Sequence, residues 1–151
     1  MLRPSKKMLF AIEAVLDIAY HAGGEPVQSR EITRRQGIPR RYLEQTLQQL
    51  VRAGVLVGVR GPRGGYRLAR ERRRISIGEV VRVVRSLEPP EEPVADLPVS
   101  ELGKRVIRPM WAELSEEIMA RLDAITIDEM CMEAYKTGIP SESVAKLDFT
   151  I

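Results

Sequence analysis

The N-terminal part of the chain carries apolar residues at helical spacing, and this pattern predicts a first helix. Two glycines and a proline within residues 23–26 mark the end of that helix. A second, short helix follows, in which Ser29 is the predicted N-cap and Ile32 is the apolar contact. It ends near Gly37. The periodic apolar positions of the first helix are Leu9, Ile12, Val15, Leu16 and Ala19.

A third helix is predicted to start near Pro39 and to stop at Gly54. Proline fits a first helical position because its missing N–H would be unpaired there in any case, and glycine commonly follows the last helical turn. One face of this helix is apolar and packs, while the other is polar and stays free. The apolar positions are Leu43, Leu47, Leu50 and Val51, and the polar ones are Arg40, Arg41, Glu44, Gln45, Gln48, Gln49 and Arg52.

Beyond Gly54 the apolar residues alternate with a period of two on either side of a glycine-rich turn at residues 61–65. This alternation predicts a β-hairpin with a flexible tip. Two helices joined by a short turn and followed by such a hairpin form a winged helix-turn-helix, in which the later helix of the pair lies against DNA. The alternating residues are Val55, Val57, Val59, Tyr66 and Leu68.

The N-terminal domain is predicted to end at residue 88. Its last element is a fourth helix, which starts at Ser76–Glu79, a sequence of the capping-box form in which the serine and the glutamate satisfy helix-start donors reciprocally. Residues 89–98 follow and hold four prolines and three acidic residues. This composition is typical of an extended connector, so we expect residues 1–88 to form one domain.

The C-terminal part, residues 99–138, is predicted to form a long helix and a terminal helix, and residues 139–151 remain a tail without a predicted structure. The long helix starts between residues 99 and 108, and the terminal helix starts at a second capping box, Thr126–Glu129. Apolar residues of the long helix alternate spacings of four and three, which is typical of a helix that pairs with another helix. They are Ile107, Trp111, Leu114, Ile118, Leu122 and Ile125, of which Trp111, Leu114, Ile118 and Leu122 are the predicted dimerisation residues.

Charge divides the chain at the same place as the connector. Residues 1–88 hold 18 Lys or Arg against 8 Asp or Glu, whereas residues 89–151 hold 6 against 13, and the net charge of +3 hides this division. Seven of the arginines lie within residues 60–74. A basic half centred on the hairpin is the electrostatic signature of a site for a polyanion, so the N-terminal domain is predicted to bind double-stranded DNA.

The polar face of the third helix carries amides, a carboxylate and guanidinium groups, which match the donor and acceptor patterns of base edges. A solvated amphipathic helix is the alternative explanation of this face. The hairpin favours DNA binding, because Arg60 and Arg63 lie among glycines at its tip and can approach phosphates or enter a narrow minor groove. The residues predicted to bind DNA on these grounds are Arg40, Arg41, Glu44, Gln45, Gln48, Arg60 and Arg63.

Several classes of protein are excluded by what the sequence lacks. It has no long apolar run and no N-terminal signal pattern, which predicts a cytoplasmic protein without membrane spans. A single cysteine excludes an internal disulfide framework. The sequence also offers no Ser/His/Asp set and no phosphate-cradling motif, and the protein is therefore predicted not to be an enzyme.

Two groups of residues leave alternatives open. Glu13, Asp17 and His21 are spaced four apart on one helical face and could hold a metal ion. An exposed histidine at a helix end is more often a terminal charge near the helix dipole, so no metal site is predicted. Cys131 is predicted to be a small buried hydrophobe. A redox-sensing thiolate is the alternative, which the acidic residues around Cys131 oppose because they raise the pKa of a thiol.

The chain resembles the Rrf-two family of bacterial winged-helix transcriptional regulators, with its IscR, NsrR and CymR types, in the ordered segments IPRRYLEQTLQQLVRAGVL, VRGPRGGYRLA, ISIGEVV and WAELSEEI…ITIDEM. The resemblance covers roughly residues 1–136, and RGPxGGY behind YLEQ is its most specific part. It implies a homodimer crossed through the long helix, which binds pseudo-palindromic operators with its third helix in the major groove and its wing in the minor groove. It also implies groove contacts by Tyr42, Glu44 and Gln45. Arg60 would be the minor-groove arginine, and a packing role is the alternative for Tyr42.

Many members of that family hold an iron–sulfur cluster on three cysteines between the fourth and fifth helices. Residues 87–105 of this chain contain no cysteine, and Arg108 stands where some members place a histidine ligand. Thiolates are the usual ligands of such clusters, so no cofactor is predicted. The resemblance to cluster-free relatives then implies that the signal is a small molecule, a thiol or a partner protein.

The sequence thus predicts a mostly α-helical protein, a winged helix-turn-helix with a small β-hairpin wing and a long C-terminal dimerisation helix. Its predicted function is that of a sequence-specific transcription regulator, a homodimeric repressor. Two alternatives remain. One is a nonspecific architectural binder of nucleic acids, and the other is a winged-helix adaptor whose basic face binds an acidic partner protein.

Overall fold

The computed structural model describes residues 3–89 and 100–143, and within them it consists of six α-helices and one two-stranded hairpin. This architecture confirms the predicted mostly helical class. Of the predicted connector only Pro89 lies among the described residues, and of the predicted tail only residues 139–143. The elements are α1 (Lys6–Tyr20), α2 (Ser29–Gln36), α3 (Arg40–Arg52), β1 (Leu56–Val59), β2 (Gly65–Leu68), α4 (Ile77–Leu87), α5 (Arg108–Ala124) and α6 (Ile127–Lys136).

Helix α1 is the centre of the core. Ser5 is its N-cap, and the serine hydroxyl accepts a hydrogen bond from the backbone N–H of Met8 at 3.2 Å, which satisfies a donor of the first turn. The helix packs against α2, α3, α4, α6 and β2. Burial of apolar side chains from these elements around one helix is the main stabilising contribution to the domain. The fully buried residues of α1 include Ala11, Ala14, Val15 and Ile18.

Helix α2 starts one residue earlier than predicted, and helix α3 starts one residue later. Ser29 is the first residue of α2, and its N-cap is Gln28, whose backbone N–H donates to the carboxylate of Glu31 at 3.2 Å. The chain stays extended through Gln28 because the preceding residue is bridged to β2. Pro39, by contrast, is the N-cap of α3 rather than its first residue, since its ψ of 130° is still extended while its carbonyl accepts bonds from the first helical turn.

The hairpin is antiparallel, with Leu56 opposite Leu68. Its base is buried, since both Val55 and Leu56 lie in the core. The next two valines do not follow them inward, and Val57 and Val59 are 46% and 38% exposed because only the first residue of β1 lies over the core. The alternation therefore identifies the strand, although Val57 and Val59 lie on its solvent side.

The long helix begins with a distorted segment. Residues 101 and 102 are helical, Gly103–Ile107 form a π-helical turn, and α5 continues from there. Pro109 explains the distortion, because a proline cannot donate the N–H that a regular turn needs and its ring clashes with the carbonyl four residues earlier. The start falls within the predicted range, and the π-helical turn accommodates the proline without ending the helix. No helix among the described residues is both long enough and apolar enough to cross a membrane.

The two predicted capping boxes differ in the structure. At the start of α6 the box is complete, with bonds in both directions between Thr126 and Glu129. At the start of α4 only half of it forms. The hydroxyl of Ser76 accepts from the N–H of Glu79 at 3.2 Å, whereas the carboxylate of Glu79 binds the guanidinium of Arg70 instead of the helix start.

The start of α4 is fixed against the end of α5. Across this junction the N–H of Ile127 donates to the carbonyl of Ile75 at 2.9 Å. Gly78 allows this close approach, since a Cβ atom at this position would lie 2.9 Å from the backbone nitrogen of Asp123. The long helix and α6 are therefore attached directly to the N-terminal domain.

His21, at the end of α1, is buried, contrary to the expectation of an exposed charge at a helix end. Residues 139–143 cover it, and the backbone N–H of Glu142 donates to its Nδ1 at 3.1 Å. Asp17, one turn earlier, is also buried and bound by Arg35, whereas Glu13 is exposed. The three residues with metal-ligand spacing therefore do not share one open site.

Candidate nucleic-acid interface

Helix α3 presents one polar face to solvent. Leu43, Leu47 and Leu50 are fully buried and attach the helix to the core, as their spacing predicts. The structure brings the predicted DNA-binding residues of this helix together on its exposed side. These residues are Arg40, Arg41, Tyr42, Glu44, Gln45 and Gln48.

Tyr42 lies on this surface and not in the core. It is 48% exposed. It lies at a groove of about 340 Å³ that residues of α1, α3 and α4 surround. Lys7 of α1 lines the same groove together with Gln45 and Gln49 of α3. Tyr42 is therefore a surface residue and not a core packing residue. Lys7 adds a cation to the groove that the amides of α3 line.

Arg40 and Glu44 form an ion pair on the exposed face, with the Nε atom of Arg40 3.0 Å from Oε1 of Glu44. The two residues are one helical turn apart, which is the spacing at which opposite charges meet on a helix. Because both side chains are at least half exposed, the pair contributes little to stability. Its effect is to orient both side chains, and either of them can exchange its partner for a phosphate or a base edge.

Glycines shape the wing tip between β1 and β2. Gly61 has a φ of 109°, a conformation that favours glycine, and the N–H of Gly64 donates to its carbonyl at 2.9 Å. A Cβ atom on Gly64 would lie 2.2 Å from the carbonyl oxygen of Val59. The turn is therefore tight, and it presents Arg60 and Arg63 to solvent.

Val27 attaches the wing to the rest of the domain. Its N–H donates to the carbonyl of Tyr66 at 3.0 Å, and the N–H of Tyr66 donates back at 2.8 Å. Gly65 allows this approach, since a Cβ atom there would lie 2.4 Å from the Val27 oxygen. The side-chain amide of Gln28 donates to the carbonyl of Pro62 at 3.3 Å. No sequence pattern marks Val27 or Gln28, because their partners are more than thirty positions away.

The arginines of residues 60–74 do not all face outward from the wing. Arg70 binds the carboxylate of Glu79, and the Nε atom of Arg72 lies 2.6 Å from a carboxylate oxygen of Asp128. These guanidinium groups pair with acidic residues of the protein itself. The charge count of this segment therefore overstates the cationic surface that the wing offers to a polyanion.

Helix α5 carries a second exposed surface, which is apolar. None of its residues is fully buried. The predicted dimerisation residues Trp111, Leu114 and Ile118 are 44% to 51% exposed, whereas Leu122 is partly buried against the core. A contiguous apolar stripe on a small domain marks an interaction surface. Further exposed apolar side chains extend it toward the start of the long helix, namely Leu102, Val106, Ile107 and Met110.

Cys131 of α6 is fully buried in the core, as predicted. Burial raises the pKa of its thiol, Arg72 lowers it, and Asp128 raises it, with a raised pKa as the result. The sequence predicts acidic residues near Cys131. It does not predict the contact with Arg72, because Arg72 precedes the cysteine by almost sixty positions. A buried thiol of raised pKa is a poor nucleophile.

A helix-turn-helix that presents amides and guanidinium groups beside an arginine-tipped wing defines a winged-helix DNA-binding regulator. The chain belongs to the Rrf2 family, whose profile, described as an iron-dependent transcriptional regulator, matches residues 4–133. The relatives are transcriptional regulators and not enzymes, which confirms that prediction.

Known proteins of this type align with most of the chain. The HTH-type transcriptional regulator IscR of Vibrio cholerae is 36% identical over 138 residues, which cover 87% of this chain and 76% of that protein. The solved structure of T. potens IscR is 34% identical with a TM-score of 0.73 and covers 92% of this chain and 93% of that one. The structure of CymR (YrzC), the global cysteine regulator of B. subtilis, is 26% identical with a TM-score of 0.70 and covers 88% and 98%. These similarities confirm the predicted winged-helix fold and family.

The residues of this chain do not fit an iron–sulfur cluster. Such clusters are held mainly by thiolates, and the single cysteine of the chain lies in the core with its thiol inaccessible. Arg108, which the resemblance aligns with a histidine ligand, is an exposed cation. Among the side chains that the structure describes, no three histidine, cysteine, aspartate or glutamate residues are placed to hold a metal ion.

Proposed function

We propose that the protein is a homodimeric repressor that binds a pseudo-palindromic operator, with α3 in the major groove and the wing in the adjacent minor groove. The observation that carries this proposal is that the polar face of α3 and the arginines of the wing tip are both exposed and both attached to one core. Three buried leucines hold the helix, and the bridge between Val27 and Tyr66 holds the wing. Such an assembly can engage one segment of duplex as a unit.

The residues of α3 divide by their chemistry. Glu44, Gln45 and Gln48 carry a carboxylate and two amides, which suit base edges, and we assign sequence specificity to them. Arg40 and Arg41, in the first turn of α3, are assigned to phosphates, whose contacts position a protein without conveying sequence.

The wing and Tyr42 complete the proposed contact. Arg60 is assigned to the minor groove, whose negative potential attracts a guanidinium group, and Arg63 is assigned to the flanking backbone. Tyr42 lies half exposed beside Lys7 and is assigned to the edge of the major groove. These assignments rest on exposure, charge and the resemblance to the family.

The exposed stripe on α5 supports the dimer. Two copies related by a twofold axis can bury this stripe against itself, which removes the apolar surface from water and presents two copies of α3 to one duplex. The acidic C-terminal part would stay off the DNA. This proposal divides the chain into a DNA-binding domain (1–88), a connector (89–98) and a dimerisation part (99–138).

The proposed regulator works without an iron–sulfur cluster. Two observations support this, the absence of cysteine from residues 87–105 and the burial of Cys131. Its signal is then a small molecule, a thiol or a partner protein, received by the regulator and transmitted as a change in operator affinity.

A competition assay tests the proposal. The DNA upstream of the protein's own coding region is labelled and competed with itself or with unrelated DNA of the same length, and a preference of about a thousandfold or more is expected. Equal competition would instead indicate a nonspecific architectural binder, and no binding would indicate a protein adaptor. Transcription in vitro from the same DNA should decrease on addition of the protein, and an increase would contradict the repressor.

A further inference from the structure

A short C-terminal segment, residues 139–143, folds back onto the end of α1, and the proposed DNA contacts do not account for it. The hydroxyl of Ser141 donates to the carbonyl of Tyr20 at 2.7 Å, and the hydroxyl of Tyr20 donates to the carbonyl of Ile139. Ser141 and Ser143 are both buried, with their hydroxyl oxygens 2.6 Å apart. The segment thereby satisfies a carbonyl at the end of α1 that no turn of the helix can pair.

Glu142 extends from this segment to the last turn of α2. One of its carboxylate oxygens lies 2.8 Å from Nη2 of Arg34, and the other lies 2.6 Å from Nη1 of Arg35. Its backbone N–H is held by the Nδ1 atom of His21 at 3.1 Å. Main chain and side chain of one residue therefore connect the end of α1 to the end of α2.

Helix α2 depends on such polar contacts for its position. It has eight residues, and only Ile32 among them is buried. A helix this short is not stable in isolation, so its placement comes from its neighbours. Arg35 contacts two neighbours, since its Nε and Nη2 atoms bind Asp17 and its Nη1 atom binds Glu142, and the side-chain amide of Gln36 also donates to Asp17 at 2.8 Å. Without Glu142, a largely buried N–H group of Arg35 would lose its acceptor.

The position of α2 determines where α3 begins, because only a short turn joins the two helices. Gly37, in the left-handed conformation, and the buried Ile38 form the turn between them, and α3 begins three residues after Gly37 with Arg40 and Arg41. A rotation of α2 would therefore move the start of the helix that carries the proposed DNA contacts. We propose that Glu142 is a positioning residue of the DNA-binding domain, which holds α2 through Arg34 and Arg35 so that α3 meets the groove in the productive orientation.

This inference rests on the proposed function. An alternative role for Glu142 predicts the opposite effect on DNA affinity. Glu142 could instead neutralise the 62% exposed Arg34 and so withhold a cation from DNA phosphates. If Glu142 neutralises Arg34, removal of the carboxylate would strengthen DNA binding. If Glu142 positions α2, the same change weakens DNA binding. The sign of the effect therefore separates the two.

The test compares full-length wild type with Glu142→Gln, which keeps the side-chain shape and removes the charge. Glu133→Gln, on the exposed side of α6, is the matched control. Affinity is measured for a duplex that the wild type selects from random-sequence DNA, and amide hydrogen exchange is followed in α2 and in α4. Glu142→Gln is expected to lower affinity about two- to tenfold and to accelerate exchange in α2 but not in α4, whereas the control matches the wild type.

Each other outcome decides against the inference. Unchanged or tighter binding by Glu142→Gln overturns it, and so does faster exchange in α4 as well as α2, which would indicate general loss of stability. If the wild type selects no sequence at all, the proposed function fails. The exchange comparison then still decides whether Glu142 holds α2 in place.

Discussion

Arg35 of α2 forms two hydrogen bonds with the carboxylate of Asp17 on α1, at 2.7 and 2.8 Å. The side chain of Asp17 is 0% exposed and that of Arg35 is 10% exposed. Each charged group is stabilised by the other, because water does not reach these buried side chains well enough to solvate either charge. This buried ion pair attaches the helix-turn-helix to the central helix of the core.

Arg35→Ala is expected to lower the free energy of unfolding by about 3 to 5 kcal/mol, because it leaves the buried carboxylate of Asp17 without its cation. Chemical denaturation followed by circular dichroism measures this difference. Arg34→Ala is the matched control. The Arg34 side chain is 62% exposed, so a loss below about 1 kcal/mol is expected. Equal losses in the two variants would contradict the role of the buried pair.

Mild acid is expected to destabilise the protein through His21. Burial, with Arg35 and Arg34, lowers the pKa of His21 below its ordinary value of 6.5, and Asp17 and Glu142 oppose this effect only in part. The folded protein therefore keeps the imidazole neutral at pH values at which the unfolded chain already binds a proton. The stabilising contribution is complete above pH 6.5 and is lost as the pH falls below that value.

His21→Asn isolates this contribution, because an asparagine oxygen can accept the N–H of Glu142 in place of Nδ1 but does not titrate. Between about pH 7 and about pH 5, the variant should lose less stability than the wild type. Denaturant titrations at both pH values provide the comparison. Identical pH dependence of the two proteins would show that His21 does not titrate on unfolding in this range.

Arg60→Ala is expected to lower operator affinity by about 1 to 3 kcal/mol without a change of fold, because a minor-groove guanidinium group is lost. Arg73→Ala is the matched control, because it removes a guanidinium group from the same arginine-rich segment, residues 60–74. Arg73 lies outside the wing tip, in the turn before α4, so a smaller loss of affinity than that of Arg60→Ala is expected. Fluorescence anisotropy at one fixed salt concentration measures both. Equal losses of affinity in the two variants would contradict a specific minor-groove contact by Arg60 at the wing tip.

Leu114→Glu combined with Ile118→Glu is expected to give monomers with poor operator affinity, because charges are placed in the apolar stripe of α5. Sedimentation at micromolar concentration measures the association state. Glu113→Gln with Glu116→Gln alters charge on the same helix outside the stripe and should leave a dimer. A monomeric wild type at this concentration would rule out the proposed dimer.

Cys131→Ser is expected to retain operator binding, and mild peroxide should not change the affinity of the wild type, because the buried thiol has a raised pKa. Binding titrations before and after peroxide, with and without reductant, test both statements. A reversible loss of affinity in the wild type that is absent from the serine variant would make Cys131 the sensor.

The elements that could be predicted depend on local patterns. Three leucines at helical spacing identify the buried face of α3, and the exposed residues of its other face follow from the same period. The glycines of residues 61–65 identify the turn of the wing because few other residues fit so tight a turn. Helix and wing were therefore predictable to within a residue or two.

The contacts that could not be predicted join residues far apart in the sequence. Glu142 binds Arg35 across 107 positions, in a segment to which no pattern assigned a structure. The burial of His21 depends on that same segment. Arg70 and Arg72 were counted as part of a polyanion site, since their acidic partners become visible only after α4 and α6 pack beside them. Composition reports the charges of a segment but not their partners.

The most direct test of the central claim is the selection of binding sites from random-sequence duplex DNA by the full-length protein. A dimer that places one copy of α3 in each of two major grooves predicts enrichment of an inverted repeat, with half-site centres about 10 bp apart or a multiple of that distance. Enrichment of a single asymmetric site, or of no sequence, would contradict the account of this protein as a dimeric, sequence-specific regulator.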